Sequence, residues 1–166
     1  MTFAPRTWVV GEVVSAAIMN QEIRDQFNSM FAAWTAYTPS WTSSGTAPAL
    51  GNGTILGRYM KFGRTVVCHI NLVTGSTSTY GTGAYNFSLP FTSANAGASY
   101  VGSAHLLGSL RWVGEIVISP NTSSCSAFMP KLSTTNGQVD FLTAAQPETL
   151  AAGAQVRLTF VYESAT

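Results

Sequence analysis

The sequence predicts a mainly β protein, with an antiparallel β-sandwich head that is jelly-roll-like and an N-terminal α-helix suited to a short coiled stem. Three observations carry that expectation. A stretch of helical texture without glycine or proline, SAAIMNQEIRDQFNSMFAAWTA, is confined to residues 15–36. After it, short β-rich runs alternate with turn residues at the spacing of a sandwich or barrel. Charge is scarce: only 9% of the 166 residues are Asp, Glu, Lys or Arg, against ~25% in an ordinary globular domain.

Residues 1–14 read as an extended arm, because Pro5 blocks an early helix, Trp8-Val9-Val10 favours β and Gly11 breaks the run. Ser15 is placed to cap a helix that runs to about Ala36. Ile23, Phe27, Met30 and Trp34 follow steps of 4, 3 and 4, and Tyr37 extends the seam by 3. Asn20 takes the preceding a position, where a polar residue sets register and oligomer state. The charges Glu22, Arg24 and Asp25 all lie in the first half. A helix ~33 Å long at 1.5 Å per residue, with an uncharged second half, must pack against something. Either it folds back on its own domain or it bundles in parallel with copies of itself.

From Tyr37 the texture is Ser/Thr/Gly-rich, and from Gly53 strands follow one another. Thr54–Lys61 and Thr65–Thr74 are expected to form a hairpin around Phe62-Gly63-Arg64, with Gly63 supplying a positive φ. Val66, Cys68, Ile70 and Leu72 share one face of the second strand, and Val67, His69, Asn71 and Val73 the other. Tyr85–Leu89, Tyr100–Leu107, Leu110–Ile118, Ser124–Met129, Gly137–Leu142 and Val156–Glu163 complete about eight strands.

Eight Lys+Arg against seven Asp+Glu leave a net charge of +1, which argues against nucleic-acid binding. No run reaches the ~18 apolar residues of a membrane helix, and Met1–Arg6 lacks the basic start and apolar core of a signal peptide. The chain is therefore expected to be soluble, made in the cytoplasm and not inserted in a membrane. Residues 26–57, 65–110 and 116–130 hold no Asp, Glu, Lys or Arg. Surface so poor in charge is either a neutral Ser/Thr/Gly coat or is covered by partner chains. Cys68 and Cys125, 57 apart with no CxxC or His pair, read as two buried thiols, with a disulfide as the alternative.

Two segments carry a family resemblance. TWVVGEVVSAAIMNQEIRDQF (7–27) resembles the N-terminal segment of minor tail and fibre proteins of phages of actinobacteria. Residues 37–90 look like the β domain that follows in such proteins, with a Trp strand, a Gly-Asn-Gly turn, a Gly-Arg-Tyr hairpin and a closing Phe-Ser-Leu-Pro. The resemblance implies a homotrimeric virion surface protein, assembled in the host cytoplasm and exposed on the particle exterior. Residues 1–14 would attach to other virion proteins of tail or capsid, with Phe3, Trp8, Val9 and Val10 in contact. Residues 15–36 would form the trimeric coiled stem through Ile23, Phe27, Met30, Trp34 and Tyr37, and 37–166 the head. The chain lacks the long shaft of many fibres, which leaves capsid decoration and head-fibre roles beside host attachment.

Enzyme constellations are thin, so no catalytic residue, metal or cofactor is expected. Asp140 and Glu115 could meet across strands as a glycosidase pair, but nothing in their spacing requires it; His69 and His105 read as packed or surface side chains, and no GxSxG elbow is present. Gly51-Asn52-Gly53 and Gly81-Thr82-Gly83 lack the Lys and following helix of a phosphate cradle and read as turns. Recognition of host cell-surface glycan is the alternative function, with Trp112, Arg111, Tyr80 and Tyr85 as candidate contacts; the competing reading places these aromatics in the core or a subunit interface.

Overall fold

The computed structural model describes residues 6–31, 33–131 and 137–166; Phe3 and the start of the arm lie outside them. Ser15 caps the helix as expected, its Oγ accepting a hydrogen bond from the Ile18 amide at 3.3 Å. The helix runs as α1 (Ala16–Met19), a π-helical stretch (Asn20–Arg24) and α2 (Asp25–Met30). It stops at Met30, short of Ala36. The π stretch holds more residues per turn than an α-helix and so disturbs the 3.5-residue rhythm of a coiled seam.

The early stop has a tertiary cause. Strand β1 (Thr35–Tyr37) pairs with β3 (Thr54–Phe62), setting Tyr37 opposite Gly57. A Cβ at Gly57 would lie 2.3 Å from the Tyr37 ring, so only glycine leaves room for it. The Tyr37 hydroxyl reaches Cys68 Sγ at 3.3 Å and donates to the Ser88 carbonyl at 3.2 Å. Trp34 lies over His69 with ring centroids 4.7 Å apart. These contacts outweigh the helix preference of Ala33. Trp34 and Tyr37 therefore belong to the sheet's surroundings, a correction to their expected places on the helical seam.

The other strands are β2 (Trp41–Ser43), β4 (Thr65–Val73), β5 (Tyr85–Ser88), β6 (Tyr100–Leu107), β7 (Arg111–Ile118), β8 (Ser124–Pro130), β9 (Val139–Phe141) and β10 (Gln155–Glu163). All pairings are antiparallel, in the order β1-β3-β4-β10-β6-β7-β8-β5-β2, with β9 also on β8. β1 and β2 end the path at opposite sides, yet only Thr38, Pro39 and Ser40 separate them in the chain. The sheet must curl until its two ends approach, and the Tyr37 hydroxyl of β1 donates to the Ser88 carbonyl of β5 across that approach, while Ser40 and Ser88 extend the β2–β5 pairing. The result is a mainly β, antiparallel curled sheet with one short helical segment.

Alternation fills the interior. Val66, Cys68, Ile70 and Leu72 of β4 point inward, as do Val156, Leu158, Phe160 and Tyr162 of β10; all eight are buried. Ile116, Ile118, Cys125, Ala127, Met129, Tyr85 and Phe87 close the core from the far side. The β3–β4 turn is the expected one, with Phe62 opposite Thr65 and Gly63 at φ 56°. Ser and Thr do more than coat the surface. Thr77 Oγ1 accepts from the Asn52 amide at 2.8 Å, Thr82 Oγ1 from the Thr46 amide at 2.9 Å, and Ser78 Oγ from the Gly75 amide at 2.8 Å. The loops satisfy their backbone groups with hydroxyls, which explains how so uncharged a chain holds long turns.

Candidate functional site

The sequence candidates do not converge. Tyr85 is fully buried, edge-on to Trp41 with centroids 5.2 Å apart, and its hydroxyl donates to the Tyr80 carbonyl at 2.7 Å. It is a core residue, which corrects its expected role as a ligand contact. Tyr80 packs partly buried against the same core. Arg111 is exposed at the start of β7, and Trp112 packs inward beside it. No hydrogen bond or ring contact links the Tyr80–Tyr85 pair to Arg111 or Trp112 among the described residues.

Trp112 has a structural task. Its Nε1 donates to Glu148 Oε2 at 3.0 Å. The same carboxylate accepts from Ser109 N (2.6 Å), Ser109 Oγ (2.8 Å) and Leu110 N (3.3 Å). It thereby clamps the turn between β6 and β7. A Cβ on Gly108 would lie 1.6 Å from the carboxylate, so this glycine is required for the clamp. Partial desolvation pulls the Glu148 pKa upward, but the hydrogen bonds from Trp112, Ser109 and Leu110 outweigh it and hold the acid below its ordinary range. A depressed acid contributes stability above the unfolded-state pKa and loses it as pH falls through the folded value. Glu148→Gln is therefore expected to lower stability at pH 7 by about 1 kcal/mol after allowing for solvent screening, or roughly 2–4 °C in Tm. The difference should shrink as the pH drops through the acid range, which thermal melts of both proteins from pH 7 to pH 3 would check.

The acid–base pair also separates. Glu115 stands opposite Phe128 on the outer face, whereas Asp140 stands opposite Met129 on the inner side and pairs with Lys131 at 3.8 Å. His69 Nδ1 meets Thr159 Oγ1 at 3.0 Å under Trp34, a packed surface histidine as expected. No cluster of three or more His, Cys, Asp or Glu suited to a metal occurs among the described residues. Cys68 and Cys125 are buried free thiols. Burial pushes the first up to about 11 and the second to about 12, so neither is a ready thiolate. No helix among the described residues is long and apolar enough to cross a membrane.

Two surfaces remain. The first is the N-terminal segment: no described helical residue is buried, and Met19, Ile23, Phe27 and Met30 are all exposed. Trp8, Val9, Val10, Val13 and Val14 of the arm are exposed as well. Arg6 lies over the Trp8 ring and pairs with Glu12, and its amide donates to Glu22 at 3.3 Å, which brings the arm back to the helix. The second is the outer face of β3, β4 and β10, where a groove of about 440 Å³ opens between side chains of Arg58, His69, Asn71, Arg157 and their neighbours. The sequence signal for it was present in the alternation of β4, which assigns His69 and Asn71 outward. Their partners Arg58 and Arg157 are set by strand order. Comparison of the chain with protein-family models, with curated proteins and with solved structures finds no match.

Proposed function

We propose that this chain is a non-enzymatic structural protein of a bacteriophage particle, a short homotrimeric spike or fibre attached by its N-terminus and exposed on the virion exterior. The observation that carries this reading is the unpartnered apolar N-terminal segment. An exposed series of Trp8, Val9, Val10, Met19, Ile23, Phe27 and Met30 on a chain of 9% charge calls for protein partners. The likeness of residues 7–27 and 37–90 to actinobacterial phage tail and fibre proteins names the class of particle.

In this reading Trp8, Val9 and Val10 contact other virion proteins of tail or capsid, and Ile23, Phe27 and Met30 form the stem. Asp25–Met30 spans only ~9 Å at 1.5 Å per residue, too little for a coiled coil on its own. The head must then contribute to self-association. Its outer face offers two apolar cross-strand rows, Met60–Val67–Val161 and Val101–Val117, in which Val101 is 68% and Val161 49% exposed. The head itself is read as jelly-roll-like, with opposite arcs of the curled sheet facing each other across the core. Host-surface contact is the task of that head.

Light scattering of the purified chain tests the assembly. A mass three times that of one 17.6 kDa chain at micromolar concentration is expected, and a stable monomer would overturn the reading. A density map of the whole particle, with this chain assigned on its exterior, tests the location.

A further inference from the structure

We propose that the groove on the outer face of β3, β4 and β10 is a binding site for an acidic saccharide, with Arg58 and Arg157 holding the carboxylates and Asn71 accepting from a hydroxyl. The register places the parts. Arg58 stands opposite His69, and Arg157 opposite Asn71 two residues further along β4. From strand spacing and rise, the two arginine Cα atoms are roughly 12 Å apart on opposite sides of one strand, so their side chains flank the groove.

Each guanidinium is steadied by a neutral acceptor. Arg58 Nη2 donates to the Trp34 carbonyl at 3.4 Å, and Arg157 Nη2 to Gln155 Oε1 at 2.5 Å. Among the described residues neither meets a carboxylate, although Arg6, Arg24, Arg64 and Lys131 all do. No Asp or Glu lines the groove. Two positive charges are thus held in place without compensation, which selects an anion. Asn71 lines the same groove, and its Oδ1 is buried yet accepts no hydrogen bond. A buried acceptor left empty is costly, and a ligand hydroxyl donor would relieve it. Exposed Leu56 on one side and the Trp34 ring beside His69 supply apolar surface for a sugar's carbon face. A bare anion satisfies the arginines alone. A sugar bearing carboxylates satisfies arginines, asparagine and apolar border together.

This site does not depend on the trimer reading, since all its residues come from one chain. Calorimetric titration of the full chain with tri-galacturonic acid in low-salt buffer is expected to show saturable binding, with maltotriose giving none. Arg58→Gln and Arg157→Gln should each weaken it roughly tenfold or more, and Asn71→Ala several-fold. Lys131→Gln, which removes the same charge away from the groove, should leave it unchanged. Circular dichroism of the surface variants checks that the fold is kept. Absence of saturable binding, equal binding of maltotriose, equal loss in Lys131→Gln, or displacement by an equal concentration of inorganic phosphate would each overturn the proposal.

Discussion

Phe27→Asp is expected to convert the proposed trimer into monomers while leaving the head folded. Phe27 is 59% exposed on the isolated chain and lies in α2, after which no charge occurs until Arg58. In the proposed stem three copies of this ring meet. Three carboxylates placed there would lose their water without a cation nearby, since the helix's only basic residue, Arg24, is already paired with Asp25 at 2.8 Å. Removing a charge from water without a partner costs several kcal/mol. Even about 4 kcal/mol summed over the three sites weakens association roughly a thousandfold. Sedimentation at micromolar concentration should therefore give a single-chain mass for Phe27→Asp and a threefold mass for Phe27→Leu, which keeps an apolar side chain. Because Phe27 is exposed and is not among the side chains packed against the sheet's core, the near-ultraviolet spectrum of the head should not change. Equal masses for the Asp and Leu variants would remove Phe27 from the interface.

The second large effect lies in β10. This last long strand inserts between β4 and β6, with Phe160 opposite Cys68 on one side and Gly102 on the other. A Cβ on Gly102 would stand 2.6 Å from the Phe160 Cβ, so the phenylalanine occupies space that the glycine leaves. Phe160→Ala empties that space in a core whose neighbours are held by strand pairing and collapse poorly. The expected loss is about 3–5 kcal/mol, a large part of the 5–15 kcal/mol typical of a domain. A chain ending at Ala154 should not fold at all, because β4 and β6 would each lose their common neighbour. Urea denaturation at one fixed protein concentration measures the first effect, and far-ultraviolet circular dichroism the second. A Phe160→Ala protein within 1 kcal/mol of the unaltered chain would show that the core repacks around the loss.

Strand content was largely legible in the sequence, and Tyr100–Leu107 appears at its expected bounds. The inward face of β4 and the Gly63 turn were equally legible. Both depend on residues a few positions apart, where alternation and φ preference act directly. Ser15 as a cap belongs with them. The helix end did not, since Ala33 carries no local stop signal and the stop comes from Tyr37 fitting over Gly57. Nor did the burial of Tyr85, because an aromatic beside Asn86 reads alike whether it faces core or solvent.

What the sequence determined by itself is thus the local grammar: one capped helix, a run of antiparallel strands, their turns and their inward faces. Only the tertiary structure decided which strands are neighbours. Register across β3, β4 and β10 brought Arg58, Asn71 and Arg157 to one groove, although nearly a hundred residues separate the first from the last. Glu148 met Trp112 in the same way. Propensity and periodicity act over a few residues, whereas a curled sheet is closed by pairings whose partners are chosen through the shared core.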